Sequence, residues 1–350
     1  MPRTTEHRAW ARQHMAGVEN TTIPSFTADL SELDEEGIRL DVRQAKAHGF
    51  FSTLVATESG LSLAEAKRML EVVVDEAGDD LLVTTPLLLD SFAAIEEMLR
   101  HCERVGVHAV LMGHPANWYP TSPEQVYEVF RDIIGSTDLA VVLYPHPLYA
   151  SARFAASWFP LDILSRLVDE CPNVVAMKIG EMGMFADCWH RFGDRILMSS
   201  PVERDQPTLV GGFKTQWMGA GCYEVFQSPA KPYLVDYHRL LREGRYDEAL
   251  DIYWRITPAR LTFERQHMVA VMTGTYNWTQ QKFYQWCTGG NGGCTRQPAM
   301  KVSEPDKRAT KMAFRAIGIN PPGNDEEFYL GRTAYARQGA AAAVAAAAGA

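Results

Sequence analysis

Eight short, β-rich runs recur along this chain, at Thr22–Phe26, Phe50–Ala56, Leu81–Thr85, Ala109–Met112, Ala140–Tyr144, Val174–Lys178, Ile196–Ser199 and Gln216–Gly219. Most are continuously apolar rather than alternating, the pattern of strands buried on both faces in a parallel sheet. Helical patterns lie between them. Leu33–His48 carries Leu33, Gly37, Leu40 and Ala47 near one stripe, and Leu63–Glu76 follows Ser62, with Glu65 placed for a capping box. Ser91–Val105, Ser122–Ile134 and Leu161–Glu170 continue the alternation. Repeated strand–helix units of about 30 residues predict an α/β fold, a (β/α)8 TIM barrel. A doubly wound open sheet is the competing reading, but it usually shows a glycine-rich turn after its first strand. Here the first run ends Pro24-Ser25-Phe26-Thr27, with no glycine.

Past residue 228 the strand signal stops, and Lys231–Glu243, Tyr246–Arg260, Phe263–Met272 and Glu304–Ile317 read as appended C-terminal helices. The expected organisation is an N-terminal extension (1–17), the barrel (18–228), a helical region (229–320) and a tail (321–350). The tail ends in an alanine-rich stretch expected to fray. With 46% hydrophobic and 22% charged residues, the chain has ample core-forming material and is neither disordered nor collagenous.

A net charge of −9 argues against nucleic acid and against an anionic membrane surface as partners. No apolar run reaches the 18 residues of a membrane span, and the first eight residues lack a signal-peptide core. Cys102, Cys171, Cys188, Cys222, Cys287 and Cys294 are scattered and read as reduced thiols, so a cytoplasmic setting is expected.

In a barrel, residues at the C-terminal ends of the strands face the active site. Strand five ends in Tyr144 and strand six in Lys178, so a phenol and an amine share one mouth. Burial lowers a lysine pKa, and a neutral amine can attack a carbonyl to form a Schiff base. A neighbouring phenol can relay protons. The plain alternative is a lysine whose stem lines the barrel while its head reaches water.

These residues also carry a resemblance. Tyr144-Pro145-His146-Pro147, followed by Val175-Ala176-Met177-Lys178, resembles the dihydrodipicolinate synthase/N-acetylneuraminate lyase family. That family has Tyr-x-x-Pro after strand five and a Schiff-base lysine ending strand six. Thr22-Ile23-Pro24-Ser25-Phe26 with Leu33-Asp34, Leu61–Glu65, and Gly292–Pro298 with Arg296 are similar to further family segments, so the likeness runs over about residues 18–320. It implies a barrel with a C-terminal helical bundle, usually tetrameric. It also implies aldol chemistry through an enamine of pyruvate or another 2-oxo acid, with no metal and no organic cofactor.

The chain departs from the family after strand two, where Val55-Ala56-Thr57-Glu58-Ser59-Gly60 replaces a longer Gly-Thr-Thr-Gly-Glu loop. Thr57, Glu58 and Ser59 are the candidates for holding the substrate carboxylate, and whether Thr57 or Ser59 supplies the hydroxyl is open. Pro145 stands where the family often has asparagine. The aromatic loops around Trp118 and from Tyr149 to Phe159 are similar to a hydratase-aldolase branch that acts on aryl-substituted 2-oxo acids. Trp118 is a stacking candidate there, while Trp158 and Phe159 serve equally well as packing. Gly219 is expected to bring backbone close to the substrate, and Cys222 could line the pocket. His114 and His146 lack a third metal ligand. The other readings are a 4-hydroxy-tetrahydrodipicolinate synthase-type condensation, metal-assisted aldol chemistry, and a barrel that binds a 2-oxo acid without catalysis.

Overall fold

The computed structural model describes residues 6–145, 154, 159–272, 276–298 and 301–348. Eight parallel strands, β1 (Gly17–Thr22), β2 (Ser52–Val55), β3 (Leu82–Pro86), β4 (Ala109–Met112), β5 (Ala140–Leu143), β6 (Val174–Lys178), β7 (Leu197–Ser199) and β8 (Trp217–Gly221), follow one another around a ring. β8 pairs with β1, and β7 lies beside β8, where the Ser199 hydroxyl accepts the Gly219 N–H at 2.7 Å. The nearly closed ring with helices between its strands is a TIM barrel.

The helices form where the chain supplies caps and apolar stripes. Ser62 and Glu65 complete a capping box on the helix Leu63–Ala77. Ser91 and Ser122 cap Phe92–Val105 and Pro123–Gly135. Two further barrel helices, Met182–Phe192 and Gln206–Phe213, fill the shorter intervals after β6 and β7. The main core lies between the strands and these helices. A smaller cluster joins Leu54, Ala109, Val142, Ala176 and Trp217 to Ala11 and Met15 of an N-terminal helix, His7–His14. Arg8 of that helix donates to the carbonyls of Val168 and Val174, so it covers the end of the barrel where the strands begin.

One expectation needs correction. The first strand is Gly17–Thr22 rather than Thr22–Phe26. Its interior carries Glu19 and Asn20, polar but fully buried, so no apolar run marks it. The tail forms a helix, Arg332–Ala348. Alanine favours the helix, and Thr333 and Arg337 fasten its first turns to Asp34.

The C-terminal helices lie against the barrel mouth. The helix Trp278–Cys287 is buried on every side. Its Lys282 donates to the Ser25 hydroxyl at 2.9 Å and to Asp41 at 3.2 Å, clamping it beside the end of β1. No helix among the described residues is long and apolar enough to cross a membrane.

Candidate active site

β6 is buried along its whole length and delivers Lys178 to the mouth only 5% exposed. Its Nζ donates to the Ala220 carbonyl on β8 at 2.8 Å. Burial lowers the amine to about 8, against opposing pulls from Glu19, Glu58 and Cys222. Leu143 pairs with Met177, so the next residue on each strand, Tyr144 and Lys178, are neighbours. The Lys178 Nζ lies 5.0 Å from the Tyr144 ring centroid. The lysine and tyrosine expected to share one mouth therefore do.

The helical region adds groups that the motif reading missed. The Tyr144 hydroxyl stands 3.3 Å from that of Tyr276, just ahead of the helix Trp278–Cys287. Burial pushes the Tyr276 phenol up to about 12, so it is a proton donor at neutral pH. His267, from the helix Thr257–Met272, stacks on Phe263 and lies 6.4 Å from the Tyr276 ring. Burial and the Lys178 charge lower its imidazole to about 4, leaving it neutral. No short motif announces either residue, because they reach the mouth only when the C-terminal helices dock.

In the loop after β2 the three candidates separate. The Thr57 N–H donates to the Val55 carbonyl, and its hydroxyl lies 3.3 Å from the Thr85 hydroxyl and 3.4 Å from the Pro86 carbonyl. The Ser59 hydroxyl donates to the Ala56 carbonyl at 2.5 Å. These groups are engaged in the wall of the barrel. Glu58 is different: its Oε2 is buried without a hydrogen-bond partner among the described residues. Burial pushes its carboxyl up to about 7, its own backbone N–H and the Lys178 charge pulling the other way. Glu58 is thus the member of this loop that faces the lysine electrostatically.

Gly219 lies against the stem of the lysine. A Cβ there would sit 2.9 Å from the Ser199 hydroxyl and 3.0 Å from Lys178 Cδ. The space a side chain would need is taken by the lysine stem, so Gly219 makes way for Lys178. Gly219→Ala is expected to displace the amine and to slow any reaction of Lys178 by at least tenfold, with the fold retained. Far-UV circular dichroism alongside a rate measurement checks this, and an unchanged rate refutes the steric reading.

Trp118 is half-buried in an aromatic cluster, edge-on to Phe92 at 5.2 Å and to His114 at 5.1 Å. Phe159, fully buried, packs on Phe130 and behaves as core. Cys222 is a buried thiol that donates to Gln281. His146 and Trp158 lie outside the described residues.

A TIM barrel with a desolvated lysine at the end of its sixth strand, under a tyrosine from the fifth, has the form of a class I aldolase-type lyase. The chain belongs to the dihydrodipicolinate synthetase family, which is matched over residues 32–205, and the members of that family are lyases. A 4-hydroxy-tetrahydrodipicolinate synthase of Methanopyrus kandleri is 25% identical over 318 residues, covering 88% of this chain and 98% of the relative. An uncharacterized DapA-like lyase of Pyrobaculum arsenaticum is 24% identical over 87% of this chain and 99% of its own length. Among solved structures, N-acetylneuraminate lyase from Fusobacterium nucleatum superposes with a TM-score of 0.72 at 15% identity, covering 87% of this chain and 99% of that one.

Proposed function

We propose that this lyase makes or breaks a carbon–carbon bond through a Schiff base between Lys178 and a 2-oxo acid. The observation that carries the reading is the buried amine, lowered to about 8 and 5.0 Å from the Tyr144 ring. At neutral pH a usable fraction of such an amine is free to add to the 2-oxo carbonyl. Loss of water then gives the Schiff base, whose protonated nitrogen accepts the electron pair of the breaking bond as an enamine. Tyr144 relays protons at the reacting atoms, with Tyr276 as its hydrogen-bond partner. This chemistry uses neither a metal nor an organic cofactor.

Borohydride reduction in the presence of pyruvate or an aryl-substituted 2-oxo acid is expected to add the mass of the reduced adduct to Lys178. Absence of an adduct with either class of acid overturns the mechanism. A hydratase-aldolase with an aryl-substituted substrate is the finer reading, supported by the half-buried Trp118 and by Tyr276, whose ring lies tilted against that of Trp278 with centroids 4.9 Å apart. Faster turnover of aryl-substituted acids than of pyruvate with an aldehyde would favour it over the condensation reaction. Assembly of subunits in a cytoplasmic setting belongs to the same proposal. Tyr246, Leu250 and Trp254, exposed one helical turn apart, suit a subunit contact, and light scattering reads the mass directly.

A further inference from the structure

Beneath Lys178 the barrel interior holds a second ionisable group. Glu19, on β1, is 0% exposed. One carboxylate oxygen accepts from Ser52 on β2 at 3.0 Å and from Thr84 on β3 at 2.7 Å. The other accepts from the Ala220 N–H on β8 at 3.0 Å. Ala220 is also the residue whose carbonyl receives the Lys178 Nζ. One carboxylate therefore ties together β1, β2, β3 and β8 and fixes the segment on which the amine rests.

The Ala220 N–H can only donate, and the Ser52 and Thr84 hydroxyls are placed to donate as well, an arrangement that favours a charged carboxylate. Burial pushes the Glu19 carboxyl above its ordinary range, while Thr84, Lys178, Ser52 and Ala220 pull the other way and favour the charge. An apolar side chain would fill this layer without any desolvation cost. A buried carboxylate with three donors arranged around it, next to a buried amine, has the form of a counter-charge.

We propose that Glu19 is a positioning residue for Lys178: it anchors Ala220 beneath the amine and supplies the fixed negative charge against which the amine loses its proton. The inference rests on Lys178 being the reacting group. The other groups facing the amine are Glu58 from the loop after β2, Cys222 after β8, His267 from the helix Thr257–Met272, and the Tyr144 ring. Glu19 itself also feels Tyr223, whose hydroxyl is held by the Gly219 and Pro201 carbonyls. Glu19 differs from Glu58 in having both oxygens fixed by donors.

Glu19→Gln tests the charge alone. The amide oxygen can still accept from Ala220, and the amide nitrogen can meet the Ser52 and Thr84 hydroxyls. Removing a neighbouring opposite charge is expected to lower the midpoint of the amine by about 1–3 pH units. The midpoint is read on full-length protein in two ways from pH 5 to 10. One is acetylation of Lys178 by acetic anhydride, followed by mass spectrometry. The other is the rate of the borohydride-trapped adduct with pyruvate. A downward shift in acetylation supports the proposal, and equal midpoints in variant and wild type overturn it. A shift in acetylation without any wild-type adduct would leave Glu19 paired with the amine while the Schiff-base reading fails. If Glu19→Gln does not fold, the reciprocal measurement decides: carboxyl-13C glutamate NMR of Lys178→Met should show Glu19 titrating at higher pH than in wild type, because linkage is mutual. An unchanged Glu19 titration would overturn the pairing.

Discussion

Lys178→Met should abolish adduct formation and reduce turnover to background, while making the protein more stable at neutral pH. The two effects have one cause. Methionine keeps most of the length of the stem and its packing against Gly219 but removes the amine. In the folded protein burial brings that amine from its ordinary 10.5 to about 8. The difference corresponds to about 3 kcal/mol, since each pH unit is worth about 1.4 kcal/mol. The sign follows from proton binding. Between about 8 and 10.5 the unfolded chain holds a proton on this lysine that the folded protein has released, so wild-type stability rises with pH across that window. Below 8 both states are protonated and the whole penalty is present. The methionine variant should therefore gain up to about 3 kcal/mol below pH 8, with the gain fading as pH rises to 10.5. Urea midpoints of the two proteins at pH 6.5, 9 and 10.5 read this directly. A variant that is less stable at every pH would make Lys178 a structural cation, and one that keeps its turnover would remove it from the reaction.

The barrel and half of its candidate site could be read from the sequence because both depend on local patterning. Seven of the eight strands coincide closely with apolar runs, and Lys178 closes one of them. β1 is the exception for a reason that bears on chemistry. Its buried Glu19 and Asn20 look like surface residues in a linear reading, yet Glu19 lies under the amine. The helix Trp278–Cys287 escaped for a related reason. It is buried all round, so it shows no amphipathic period, although Asn277 does cap it. Tyr276 and His267 were hidden with the helical region, since only long-range contacts such as Lys282 with Asp41 bring that region to the mouth. The loop after β2 shows the opposite limit. The resemblance offered Thr57, Glu58 and Ser59 together for a carboxylate, and only tertiary contacts separate them, with the Thr57 and Ser59 hydroxyls against the barrel wall and Glu58 facing the lysine.

Tyr144→Phe should cost about 10²–10⁴-fold in turnover, the usual worth of a positioned proton donor or acceptor, with little change in melting temperature. The ring remains, half-buried and beside the amine, so packing is preserved. The hydroxyl that is lost stands 3.3 Å from the Tyr276 hydroxyl, a long separation that makes this contact a weak one. A tyrosine whose hydroxyl only satisfied a buried partner would behave in reverse, losing about 1–3 kcal/mol of stability with near-normal turnover. The partner gives a second reading of the same mechanism. Tyr276, its phenol pushed up to about 12, keeps its proton and can donate to Tyr144, orienting the Tyr144 proton toward the substrate. Tyr276→Phe should therefore slow turnover less than Tyr144→Phe does. The double variant should be no slower than Tyr144→Phe alone, because Tyr276 acts only through its neighbour. Additive losses would mean that the two phenols act on the substrate separately. Wild-type turnover in a stable Tyr144→Phe protein would leave Lys178 to work without the phenol, and the proton relay would have to be sought at Glu58, which faces the amine with a carboxylate oxygen that has no hydrogen-bond partner among the described residues.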